Sequence, residues 1–228
     1  MTMHDPMWIK GLLGVHVLAG ATAFLMAPVA LVTAKGGKAH RRWGKVYLWA
    51  MGIVAATALP MALYRPVLFL ALVAVFSFYA CFSAWRVLAL KDLSRGGNAK
   101  PIDWFAAVVT FAASACLAGF AVFKPALVQH MGIVAIVFGI IGMSLAFGQM
   151  RSFLWKPTEK MFWWYTHLGN MIASYIAAWS AFSVTTLSLL LGHGWYVWLW
   201  PTMVGVPAIA LTTAYYKRKF APRAKAAA

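Results

Sequence analysis

From Trp8 to Thr33 the only ionisable side chains are Lys10 and His16, and the pattern of a long apolar run closed by a basic cluster recurs to the end of the chain. A bilayer core about 30 Å thick is crossed by about 20 apolar residues rising about 1.5 Å each. Runs of that length lie at 8–33, 43–64, 66–90, 103–123, 126–150, 161–191 and 195–216, so seven transmembrane helices are expected. Hydrocarbon offers the backbone no hydrogen-bond partner, which makes helices the natural solution for such segments. The expected fold is therefore an all-α integral membrane bundle, one domain over 1–228, with a basic and disordered tail at 217–228. Arg65-Pro66 and Lys124-Pro125 separate neighbouring runs so narrowly that tight hairpins are expected there.

Composition agrees, with 63% hydrophobic and 11% charged residues, against roughly 45–50% and 25% in soluble domains. Lys and Arg number 20 against 4 Asp and Glu. In a soluble chain that balance points to nucleic acid; here the cations lie between apolar runs, so the expected partners are the bilayer and its anionic headgroups, and not nucleic acid. All the cations except Lys10, Arg65 and Lys124 fall in segments 35–45, 86–100, 151–160 and 217–225, on one side of the expected bundle. Positive residues stay in the cytoplasm, which predicts an amino terminus outside and a carboxyl terminus inside the cell's inner (plasma) membrane. The first span is expected to be retained, because Met1 to Ile9 is not basic and the apolar run is too long for a secretory signal.

Several chemistries lack their residues. The only carboxylates are Asp5, Asp92, Asp103 and Glu159, all in loops or at span ends, so a carboxylate proton relay, a divalent-cation cage and paired-carboxylate hydrolysis are disfavoured. No HExxH or GxSxG occurs. Cys81 and Cys116 are expected to be small buried core residues, with neither a disulfide nor a metal site.

Histidine is the exception. His16 and His130 fall about 12 and 6 Å from the outer boundary, His167 about 9 Å from the inner one and His40 at the inner interface, while His4 and His193 belong to the tail and a turn. Two histidines per leaflet on separate helices is the arrangement of stacked, non-covalent b-type haems. Such haems would pair the first span with the fifth through His16 and His130, and the second with the sixth through His40 and His167. His40 follows Lys35-Gly36-Gly37-Lys38 and is expected in or beside a loop, shallow for iron. The small residues Gly20, Ala23, Ala27, Gly132, Gly139 and Gly142 serve either porphyrin room or close helix packing.

His167, Asn170 and Ser174 recur at i, i+3 and i+7 and share a helical face. A polar stripe in hydrocarbon faces protein or water. It is either an interhelical hydrogen-bond seam or a cavity open to the cytoplasm, with Asn170, Ser174 and Arg41 as substrate contacts. In the stretch Ala39-His40-Arg41-Arg42-Trp43-Gly44-Lys45-Val46-Tyr47, the cations read as headgroup anchors, the aromatics as interfacial and Gly44 as permitting close approach. His40 is left as structural residue or ligand.

The segments HRRWGKVY at 40–47 and HLGNMIASYIAAWSAF at 167–182 resemble a family of bacterial multi-pass membrane proteins defined as the domain of unknown function numbered 2306. That family carries an HRxxGxxY-like segment after its first span and a late helix with histidine, methionine and a YIA-type run. The matching positions are His40, Arg41, Gly44, Tyr47, His167, Met171, Tyr175, Ile176 and Ala177. The resemblance implies a membrane protein and supplies no activity. Two roles follow. The first is a carrier or accessory subunit with a histidine-lined polar site at the cytoplasmic ends of the second and sixth spans; the alternative is an electron-transfer protein holding b-type haem on paired histidines, with or without a quinone.

Overall fold

The computed structural model describes residues 5–65, 67–128 and 131–220. His4, Pro66, His130 and the tail beyond residue 220 therefore lie outside the described residues. Among those described, the chain is helical with no strand: α1 Met7–Val32, α2 Lys38–Tyr64, α3 Leu68–Arg86, α4 Pro101–Phe123, α5 Gly132–Leu154, α6 Phe162–Thr186, the short α7 Ser188–Leu191, and α8 Trp195–Phe220. Six helices, α1 to α5 and α8, are long and apolar enough to cross a membrane. Helix α6 is as long, at 25 residues, and is not among the six. It is the helix that carries the polar stripe.

Local chemistry sets the ends. Gly36, at φ 75°, turns the chain between α1 and α2 in the left-handed region that side chains resist. Two short 3₁₀ turns, Val87–Ala89 and Lys91–Arg95, carry the chain out of α3 and stop at Gly96, with φ 93°. Helix α4 opens on Pro101, and the Asp103 carboxylate accepts the Lys100 backbone N–H at 2.8 Å. The same carboxylate takes a two-pronged contact from the Arg86 guanidinium at 2.7 and 3.0 Å, tying the end of α3 to the start of α4.

Helices α1 and α2 pack as one antiparallel hairpin and α4 and α5 as another; α3 lies between the hairpins, and α6 packs on α3 and α8. One end of the bundle gathers the basic segments. There Lys91 lies over the Trp163 ring at 4.3 Å, the Lys156 ammonium donates to Gly97 O at 2.7 Å, and Lys217 pairs with Glu159 at 3.1 Å. At the other end Asp5 meets Arg65 at 2.7 Å, Trp8 meets Tyr64, and Phe69 meets Trp198. Helix α6 runs between the same two ends, with Trp163 beside Lys91 and Ser183 accepting the Trp200 indole N–H at 2.7 Å.

Three expectations from the sequence are corrected. Helix α2 begins at Lys38 rather than Trp43, because Lys and Arg are good helix formers and extend a helix beyond the apolar layer once Gly36-Gly37 has made the turn. His40 is thus helical, not in a loop. Helix α5 begins at Gly132 rather than Ala126, since Pro125–Leu127 forms a 3₁₀ turn. Cys116 is exposed, whereas Cys81 is fully buried as expected.

Gly139 and Gly142 serve packing. A β-carbon on Gly139 would lie 2.7 Å from Ser114 O of α4, and one on Gly142 would overlap the Ser114 side chain. Gly148, on the same helix, has open space there. Replacing Gly142 by Ala should cost about 1–3 kcal/mol through overpacking, read as a lowered midpoint of thermal unfolding in detergent. Gly148→Ala should not lower it. Equal midpoints for the two variants would show that α4 and α5 do not meet as described.

Candidate functional site

The site is the pair of imidazoles where α1, α2, α3 and α6 converge near the basic end. The His40 and His167 rings have centroids 6.3 Å apart and planes 75° to one another. His40 Nδ1 lies 2.9 Å from Ala30 O of α1, and His167 Nδ1 lies 2.8 Å from Ala84 O of α3. A carbonyl oxygen only accepts, so in both rings Nδ1 carries the proton and donates. That fixes the tautomer and leaves Nε2 as the basic nitrogen of each neutral ring. An imidazole anchored in this way through one nitrogen is the usual arrangement of a metal-ligating histidine.

Below the pair lies a cluster of small and aromatic residues: Ala23, Ala27, Tyr47, Ala50, Met51 and Cys81, with Met171 and Tyr175 packed against it. Its polar groups are satisfied inside the protein. The Ser174 hydroxyl donates to Met171 O at 2.9 Å, so the Tyr47 hydroxyl, 2.7 Å away, is the donor to Ser174. Asn170 donates its amide N–H to Ser83 Oγ at 2.9 Å, and Ser83 donates to Ala80 O at 3.2 Å. On a different face of α6, Ser180 donates to Trp198 O of α8 at 2.9 Å. The stripe of α6 is thereby bonded to α3 and α2, an interhelical hydrogen-bond seam, one of the two readings the sequence left open.

His40 and His167 are brought together. Asn170 and Ser174 lie behind them, buried, with hydrogen bonds to protein. Arg41 is elsewhere: it is exposed and lines a groove between α1 and α2. His16 is further along α1, its Nδ1 3.2 Å from Val54 O and 3.0 Å from Thr57 Oγ1. The Thr57 hydroxyl donates to Ile53 O at 2.7 Å, so here too the imidazole N–H is the donor. The proposed partner of His16, His130, lies outside the described residues, and the main neighbours of α5 are α4, α3 and α8. His193 sits in the Gly192-His193-Gly194 turn.

Electrostatically the pair is in positive surroundings, with the charges of Lys35 and Lys91 bearing on His167. Partial burial holds the Lys35 ammonium below its ordinary pKa. Among the described residues no group of three His, Cys, Asp or Glu side chains is placed to hold a metal ion. A site built on this pair therefore supplies two nitrogens, and the group it holds must bring its remaining ligands. No protein-family model matches the chain, and no curated protein and no solved structure matches it.

Sequence reasoning missed the carbonyl anchors at Ala30 and Ala84, since any residue offers a carbonyl. It also missed the Tyr47–Ser174 bond, for which the only signal was that both positions lie in polar-tipped helical faces. Removing that bond should cost little: a double-mutant cycle of Tyr47→Phe and Ser174→Ala should return a coupling of about 0.6 kcal/mol, the average for interhelical hydrogen bonds in membranes, and no more than about 1.7 kcal/mol. A coupling indistinguishable from zero in detergent-solubilised protein would contradict the contact.

Proposed function

We propose that the chain is a seven-helix inner-membrane protein, amino terminus outside and carboxyl terminus cytoplasmic, that holds a b-type haem between His40 and His167 and transfers electrons at its cytoplasmic side. The ring separation carries this reading. Metal–nitrogen bonds of about 2 Å, with each ring centre about 1 Å beyond the bonded nitrogen, put two axial imidazoles about 6 Å apart across an iron. The observed centroid separation is 6.3 Å. The donor set fits further: each ring has its Nδ1 proton engaged and its Nε2 available. Gly44, one turn beyond His40 on the same face of α2, has open space where a β-carbon would stand.

A bound haem supplies one-electron chemistry. What the chain supplies is orientation and electrostatics. The Ala30 and Ala84 carbonyls fix the ring planes and, by accepting from Nδ1, make the opposite nitrogens better donors. The lysines near His167 suit the carboxylates of such a group. The apolar cluster lies beneath the imidazoles, which are themselves half-buried.

Helix α6 is the seventh span in this reading: it runs the length of the bundle, hides its polar stripe against α2 and α3, and bonds Ser180 to α8. The distribution of Lys and Arg supports the orientation. A reporter joined after residue 228 should be cytoplasmic and a tag in the 192–194 turn external; a periplasmically active carboxyl-terminal fusion would overturn the orientation and the count.

Protein purified from haem-replete cells should show a Soret band and sharpened visible bands on reduction with dithionite. His40→Ala and His167→Ala should each abolish the absorbance of this haem, while His193→Ala leaves it unchanged. A colourless, monodisperse wild-type protein after haem supplementation would sink the proposal and leave a carrier or accessory role, in which the carbonyl-anchored imidazoles act as pH-sensitive hydrogen-bonding groups.

A further inference from the structure

Helices α1 and α2 enclose a lipid-facing groove of about 720 Å³ on a different face of α2 from the one that presents His40 and Tyr47. Its lining changes character along its length. Lys38, Arg41, Arg42 and Lys45 stand at one end, and Trp49 and Ile53 of α2 with Ala19 of α1 line the rest. From Lys38 to Ile53 the helix rises about 22 Å, so the groove runs from the basic end of the bundle well into the apolar layer. Trp49 is 73% exposed beside the buried Ala50, so its indole stands up as a wall rather than packing into the core. Among the described residues no carboxylate pairs with any of the four cations, and Arg42 is braced instead over the Trp43 ring at 5.5 Å. The first-turn amides of the 27-residue α2 point toward the same end.

Four unpaired cations above an apolar channel are complementary to one molecule: an acid headgroup joined to a long hydrocarbon chain. Generic attraction of a basic surface to anionic lipid needs no groove, and a free phosphate has no use for the Trp49–Ile53 channel. We infer that this groove is a stoichiometric site for a single anionic phospholipid, its phosphate held among Lys38, Arg41, Arg42 and Lys45 and one acyl chain laid along Trp49 and Ile53 toward Ala19. The site depends on α1 and α2 lying in the membrane and not on the imidazole pair, so a colourless protein would leave it standing. It gives Arg41 a ligand different from that of its neighbour His40: the two residues, adjacent in sequence, serve opposite faces of one helix.

The test is native mass spectrometry of the full-length protein released from nanodiscs of phosphatidylcholine containing a minor fraction of phosphatidylglycerol. Wild type should retain one phosphatidylglycerol per chain. The triple variant Arg41→Gln/Arg42→Gln/Lys45→Gln should lose it by about a hundredfold in affinity, at roughly 1 kcal/mol per surface cation. Trp49→Ala, which leaves every charge in place, should weaken retention too. Lys217→Gln/Arg218→Gln/Lys219→Gln removes as much charge from the end of α8 and should retain the lipid. Three results would overturn the site: phosphatidylcholine retained as readily as phosphatidylglycerol, equal loss in the α8 variant, or displacement of the lipid by millimolar inorganic phosphate.

Discussion

Hydrocarbon cannot hydrogen-bond, and this constraint organises the whole molecule. Every polar group that enters the apolar layer must find its partner within the protein, at a cost of several kcal/mol if it does not. Helices α1 to α5 and α8 carry few such groups, and among the described residues the buried Ser114 hydroxyl of α4 is the exception that finds no partner. Helix α6 carries many and meets it by bonding in turn to α3, α2 and α8 through His167, Asn170, Ser174 and Ser180. The helix least suited to lipid by composition is thereby the one most committed to its neighbours. Its position in turn fixes where His167 stands.

The same constraint explains the form of the imidazole pair. A histidine in an apolar setting must spend its ring proton, and in His40, His167 and His16 alike the acceptor is supplied by another helix. For His16 that settles a packing contact between α1 and α2. For His40 and His167 the anchors lie on different helices, α1 and α3, and hold two rings with centroids 6.3 Å apart and planes 75° to one another. Charge then divides around α2: His40 and Tyr47 look inward to α6, while Arg41, Arg42 and Lys45 look outward to the groove and the membrane surface.

Much of this was legible in the sequence because hydropathy and charge are written there residue by residue. The helical class, the basic end and the shared face of His167, Asn170 and Ser174 all follow from spacing. What was not legible depended on partners. Hydropathy started the second helix at Trp43, since it scores lysine and arginine as polar, although they extend a helix readily; the structure starts it at Lys38 and so makes His40 helical. Gly139 and Gly142 offered room or contact equally well until Ser114 was seen opposite them. Cys116 looked like a core residue because lipid-facing and buried positions share one composition inside a membrane.

In the proposed site His40 and His167 would together hold one haem, with ring planes set by the Ala30 and Ala84 carbonyls. Axial planes that are nearly perpendicular leave the iron d orbitals nearly degenerate, and the rings here stand at 75°. A low-temperature electron paramagnetic resonance spectrum of the oxidised protein should therefore show a strongly anisotropic low-spin ferric signal. A high-spin signal, the rhombic low-spin signal of parallel rings, or no ferric haem signal at all would contradict the account.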